Sequence, residues 1–165
     1  YTEPTSPNSF IFFEEWANQD AIDAHFATPH FKAFMEQFPP MIDGAPNIAI
    51  YATKVVEGPA PKGTPDLMLI SGRFAAKPER RADLIALATG MFAPSRAEPG
   101  CISYDFFEEA GSENRFLFFE RWRDAASIDA HFATSHFNEF MKAFPPLIEG
   151  DADIRRYAVS ATKTL

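Results

Sequence analysis

The chain has almost no cysteine. Cys101 stands alone among 165 residues, so an intrachain disulfide and a cysteine metal cluster are both excluded, and a reducing cytoplasm is the expected setting. No apolar run approaches the roughly 20 residues that a membrane-spanning helix needs, and no signal-peptide pattern is visible. Clustered basic residues are also missing. Arg80-Arg81 and Arg155-Arg156 are the main pairs, and the net charge is -8. Binding along a nucleic-acid backbone, which needs concentrated Lys and Arg, is therefore not expected. The first residue is Tyr1 rather than Met, which reads as a processed or truncated piece.

Phenylalanine, in contrast, is abundant at 18 residues in a chain that is 46% hydrophobic. That supplies apolar volume for a core and for an aromatic-lined pocket. A repeat organises these residues. Aligning Asn8–Tyr51 on Asn114–Tyr157 without a gap gives about 24 identities in 44 positions. All four histidines fall inside the repeat, with His25 and His30 matching His131 and His136.

Residues 67–165 read as a complete unit. A strand at 67–74 leads to a helix opened by Pro78 and striped by Leu84, Ile85, Leu87, Ala88 and Met91. Glu98-Pro99-Gly100 breaks that helix. A second strand spans 101–107, with Ile102, Tyr104 and Phe106 on one face, and a third spans 116–122. In the third, Phe116, Phe118, Glu120 and Trp122 alternate with Leu117, Phe119 and Arg121. Both faces are largely apolar, so both are expected to be covered. Asp124 suits the cap of a short helix and Thr134 the cap of another. Phe137, Phe140, Met141 and Phe144 make the buried stripe of the second helix, and Pro145-Pro146 ends it. The last strand is expected at 154–160.

The order is β-α-β-β-α-β, an α+β ferredoxin-like unit whose second helix is broken in two. Residues 1–57 supply only the back half of such a unit: a third strand at the Phe12–Trp16 motif, the broken helix and a fourth strand. Residues 58–66 read as a linker. The half unit leaves an open sheet edge, which implies about 60 further residues before Tyr1 in the natural protein or strands supplied by another chain.

Phe-Phe-Glu-x-Trp followed by Ile-Asp-Ala-His-Phe-x-Thr-x-His-Phe-x-x-Phe stands at 118–122 with 128–140, and again at 12–16 with 22–34. This pattern resembles the antibiotic biosynthesis monooxygenase family, closest to its quinol monooxygenase branch. The resemblance implies a dimeric α+β barrel, formed here as a pseudo-dimer within the chain or as a homodimer. It also implies oxidation of a small aromatic, quinol or anthrone by O2 with no metal, flavin or haem. Such chemistry needs an apolar pocket, a base and donors for a developing oxyanion.

His131 is the first candidate for acid/base work, because its ordinary pKa lies near neutrality. Trp122 offers an indole N–H and a stacking face. Glu120, flanked by aromatics, is a carboxyl whose pKa burial would raise. His136 would stand at the pocket rim, Tyr104 would orient the substrate, and Phe118, Phe132, Phe137 and Phe140 would line the walls. No metal is expected, since His131 and His136 are five apart rather than at the helical i, i+4 spacing and the sequence shows no third ligand beside them. Haem degradation, as in relatives that carry an Asn on strand 1, is disfavoured because Ser71 and Gly72 occupy that region. An isomerase of a small signal molecule and a non-catalytic aromatic binder or stress protein are the other readings of this fold.

Overall fold

The computed structural model describes residues 1–4, 6–55 and 67–164, so the expected linker at 58–66 lies outside the described residues. The chain divides into two compact units, one made of Tyr1–Ile11 and Tyr51–Thr162, the other centred on Phe12–Ile50.

In chain order, β1 (Thr2–Glu3) and β2 (Ser6–Phe10) are followed by α1 (Gln19–Ala27), α2 (Pro29–Gln37) and β3 (Ala49–Val55). Next come β4 (Met68–Ala76), α3 (Arg81–Gly90), α4 (Phe92–Arg96), β5 (Cys101–Glu108) and β6 (Arg115–Trp122). The chain ends with α5 (Ala125–Phe132), α6 (Ser135–Ala143) and β7 (Ile148–Thr164). The sheet runs β2-β1-β5-β6-β4-β7-β3. Its inner four strands have the 2-3-1-4 order of a ferredoxin-like unit, and their neighbours are antiparallel. The α+β class and the ferredoxin-like order of elements are those read from the sequence.

Local chemistry explains the helices. The Asp124 carboxylate accepts from Ser127 N–H and starts α5. The Thr134 hydroxyl accepts from Phe137 N–H and starts α6. Thr28 repeats the second cap for α2, with Pro29 at the first helical position. Each cap satisfies an amide that the helix itself leaves orphaned.

The core lies on the helix side of the sheet, where Phe74, Tyr104, Phe106, Phe116, Phe118 and Trp122 pack against Leu84, Ala88, Ile128 and Phe140. On the other face Leu69, Leu117, Phe119, Tyr157 and Val159 are also buried. Both faces of β6 are thus covered, as its sequence requires.

Four details differ from the expectations. Residues 11–16 carry no regular structure, and β2 ends at Phe10. Ile11 still exchanges two hydrogen bonds with Tyr1; beyond it, the counterparts at 118–122 are held between β4 and β5, and the described residues give residues 12–16 no equivalent of β4, so their amides have no ladder to join. Ile102 is exposed because the register of β5 against β6 slips between Cys101 and Ser103, leaving it as the extra residue of a bulge. Met141 is exposed; the buried stripe of α6 is narrower than the i, i+3, i+4, i+7 pattern suggests. Finally, β7 begins at Ile148 and ends at Thr164, because β4 on one side and β3 on the other give it partners.

Candidate active site

The candidate site forms where α5, α6, β5 and β6 meet the turn that follows α4. That turn, Glu98-Pro99-Gly100, is pressed against the start of α5. A Cβ added to Gly100 would lie 2.2 Å from the Ser127 Cβ, so only glycine allows this approach. Arg123 N–H bonds to the Gly100 carbonyl at 2.9 Å and fixes the contact.

The close packing delivers Glu98 to the histidines. Its Oε1 lies 2.6 Å from His131 Nδ1 and 3.0 Å from His136 Nε2. A carboxylate only accepts, so both rings donate to it. His131 is then the neutral tautomer with its proton on Nδ1, and its Nε2 carries a bare lone pair. The His131 side chain is fully buried, and Nε2 has no hydrogen-bond partner. Burial lowers the His131 pKa, and the hydrogen bond and charge of Glu98 oppose that shift. A buried, unpartnered acceptor is uncommon in folded proteins and marks a position where a ligand can act.

Aromatic rings enclose this imidazole. Trp122 lies 4.7 Å from it, Phe137 4.9 Å, Tyr104 5.6 Å and Phe132 5.8 Å, centroid to centroid. Phe132 and Phe137 stack on each other at 4.7 Å. Phe118 and Phe140 sit one ring further in; Phe118 packs on Tyr104 at 5.6 Å and on Phe140 at 5.7 Å. Of the six residues expected around the substrate, Tyr104, His136, Phe132 and Phe137 therefore border His131, whereas Phe118 and Phe140 support them.

Glu120 faces Tyr104 across the β5–β6 ladder and Ile70 across the β4–β6 ladder. The Trp122 indole N–H, expected to be free for a substrate oxygen, instead donates to Glu120 Oε2 at 2.8 Å. Burial pushes the Glu120 carboxyl up to about 8; the Trp122 bond opposes this, and the nearby negative charges of Glu98 and Asp105 add to it. Glu120 is therefore protonated at neutral pH. Burial, followed by the charge of Glu120, likewise holds the Tyr104 phenol well above its usual value. Burial and then the charges of Glu120 and Glu98 push the Cys101 thiol up to about 11, so it is no nucleophile. One environment thus holds a lowered histidine beside a raised carboxyl, the arrangement that separates a base from an acid.

Glu98 is the residue that the sequence reading missed, having taken it only as part of a helix stop. It also supplies the third group said to be lacking for a metal. One ligand atom each from Glu98, His131 and His136 lie within 4.8 Å of one another. In the present geometry the carboxylate oxygen is engaged by two N–H donors, so a cation would have to displace both protons. Among the described residues no helix is long and apolar enough to cross a membrane.

Comparisons with known proteins agree with this architecture. The family model for antibiotic biosynthesis monooxygenases matches residues 1–37 and 68–143. The Synechocystis protein sll1783 is 43% identical over 104 residues, 63% of this chain and 71% of its own. YcnE of Bacillus subtilis, provisionally named as a monooxygenase, is 33% identical over 94 residues, 57% of this chain and 99% of its own. The structure of Rv0793 from Mycobacterium tuberculosis superposes with a TM-score of 0.53 at 30% identity, covering 55% of this chain and 91% of that one.

Proposed function

The chain belongs to the antibiotic biosynthesis monooxygenase family, which gives it a monooxygenase-like function, and we propose that it oxidises a small, electron-rich phenol, quinol or anthrone with O2 without a metal or organic cofactor. The observation that carries this reading is the bare, buried Nε2 of His131 opposite its bond to Glu98.

The chemistry starts with proton removal. His131 Nε2 takes the acidic proton of the substrate, and the resulting imidazolium is stabilised by the Glu98 carboxylate on the other side of the ring. The substrate anion is electron-rich enough to pass one electron to O2. The radical pair then recombines to form a C–O bond, and the proton held on His131 completes a hydroperoxide. Loss of water from that species leaves one oxygen atom as a new carbonyl. For an anthrone, one CH2 and one O2 become one C=O and one H2O, with the carbon supplying all the electrons. Protonated Glu120 and the Tyr104 phenol, opposite each other on β6 and β5, are donors suited to the charge that develops on the substrate oxygen.

The sealed ring of His131 requires a substrate to part the aromatic shell. Phe132, Phe137 and His136 are only partly buried, so the α5–α6 corner is the side from which it enters. Fully buried Trp122 and Tyr104 form the back wall. The test is oxygen uptake by chelator-treated protein with a panel of quinols and anthrones, using 18O2. One labelled atom in the product and one in water supports monooxygenation. No uptake above autoxidation with any member of the panel would refute it.

A further inference from the structure

We propose that Glu98, His131 and His136 form a binding site for one divalent cation of the zinc type, and that the bound ion converts His131 from a base into a donor. The ligand set rests on geometry; the consequence for turnover rests on the function proposed above.

The break between α5 and α6 makes the set. On one continuous helix, residues five apart point about 140° away from each other. Here α5 ends at Phe132, and the Thr134 hydroxyl starts a new helix with His136 in its first turn. The two imidazoles are thereby brought to 5.6 Å, centroid to centroid. The turn after α4, packed on Ser127 through Gly100, adds Glu98, whose Oε1 bonds both rings. One ligand atom from each of the three residues lies within 4.8 Å of the others.

An ion fits this triangle with little movement. Tetrahedral bonds of about 2.0–2.1 Å set ligand atoms about 3.3 Å apart. The edge from Glu98 to His131 is 2.6 Å and that to His136 is 3.0 Å, so each opens by less than about 1 Å. Water fills the fourth position. Two imidazole nitrogens with one carboxylate oxygen favour zinc and its transition-metal neighbours over magnesium and calcium, which take oxygen ligands. The Glu98 and His136 side chains are 13% and 23% exposed, against 0% for His131, so the ion arrives past the first two.

The protons balance. Each ring now directs its N–H at Glu98. The ion takes those two nitrogen positions, so the proton of His131 moves from Nδ1 to Nε2 and that of His136 from Nε2 to Nδ1. Both rings stay neutral and no proton is released. His131 Nε2 has no partner as an acceptor, so turning it into an N–H breaks no hydrogen bond within the protein. The atom that would take the substrate's proton then already carries one. Turnover stops while the ion is bound and resumes when it is removed.

The test uses the full chain, treated with chelator and then titrated with Zn2+ or Co2+. The His25→Ala/His30→Ala variant is the background, so that only His131 and His136 remain to bind. Equilibrium dialysis should give one ion per chain, and Co2+ should show the intense d–d bands of a four-coordinate site. Excess Mg2+ should not displace it. His136→Ala and Glu98→Gln should each weaken binding by at least about 10-fold, since even the loss of an outer-shell partner costs that much. NMR of 15N-histidine-labelled protein should show His131 Nε2 gaining its proton when zinc binds. Oxygen uptake should fall about 100-fold with saturating zinc and return with EDTA. No bound ion, affinity unchanged in both variants, Nε2 still unprotonated with zinc bound, or uptake unchanged by saturating zinc would overturn the inference. One bound ion with Nε2 protonated, in protein that shows no uptake with any quinol or anthrone, would uphold the switch and refute the monooxygenase chemistry instead.

Discussion

The Glu98 carboxylate meets the His131 imidazole at 2.6 Å, although 33 positions separate them in the chain. The same oxygen lies 3.0 Å from His136. One acidic residue in a turn thus sets the protonation pattern of two histidines on two helices. It leaves the buried His131 Nε2 without a hydrogen-bond partner.

Replacing Glu98 with Gln should therefore act through His131. Loss of the negative charge removes what holds the His131 pKa up. The acidic limb of the pH–rate profile should move to lower pH, and kcat/KM should fall about 10- to 100-fold, part of the range for acid/base catalysis. An unmoved limb with the same loss of rate would mean that Glu98 only supports the fold.

The pH dependence of wild type should be bell-shaped. His131 must be neutral to accept a proton, and burial lowers its pKa, so activity rises with pH on a limb below the ordinary value of 6.5. Glu120 must stay protonated to donate, and its carboxyl titrates at about 8, so activity falls near that pH. Glu120→Gln should remove the alkaline limb, measured as kcat/KM against pH.

The same carboxyl makes a stability prediction. Its folded pKa, about 8, stands above the ordinary 4.5. The folded state therefore binds the proton more tightly, and this contribution is fully present below pH 4.5 and lost as pH rises through 8. Converted at 2.303RT, the loss is about 5 kcal/mol as an upper bound. Urea unfolding from pH 5 to pH 9 should show wild type losing more stability than Glu120→Gln. Parallel curves would contradict the burial of an ionisable group there.

Gly100→Ala tests the packing that delivers Glu98. The new methyl would overlap Ser127, with its Cβ at 2.2 Å and its Cα at 3.3 Å. Overpacking of this sort costs about 1–3 kcal/mol, and the turn should shift away from α5. Thermal melting should show the destabilisation, and oxygen uptake should fall further than stability alone explains, since Glu98 moves with the turn.

Much of this arrangement was legible in the sequence because it is local. Asp124 and Thr134 cap α5 and α6 where their positions suggested, and the alternation along β6 named both of its faces. His131, Trp122 and Glu120 stood out because a histidine, an indole and a carboxyl sat among aromatic residues. What was not legible depends on contacts between distant residues. Glu98 looked like a helix stop because its partners come from helices beyond the next two strands. The sequence offers the Trp122 indole N–H as a donor without naming its partner, because a hydrogen bond to Glu120, two residues away on the same strand face, leaves no mark on composition or spacing. Ile102 kept the strand pattern and yet left the face, because a bulge is a property of the pairing. The Phe12–Trp16 motif kept strand residues, but among the described residues it has no ladder to join.

The central claim is that His131 is the base of a cofactor-independent oxygenation. It is tested most directly by oxygen uptake of metal-free protein with its best anthrone or quinol, wild type beside His131→Ala, each with and without added imidazole. The account predicts a loss of at least about 100-fold, partly restored by imidazole, because a free base can enter the space left by the side chain. Undiminished uptake in His131→Ala would contradict it.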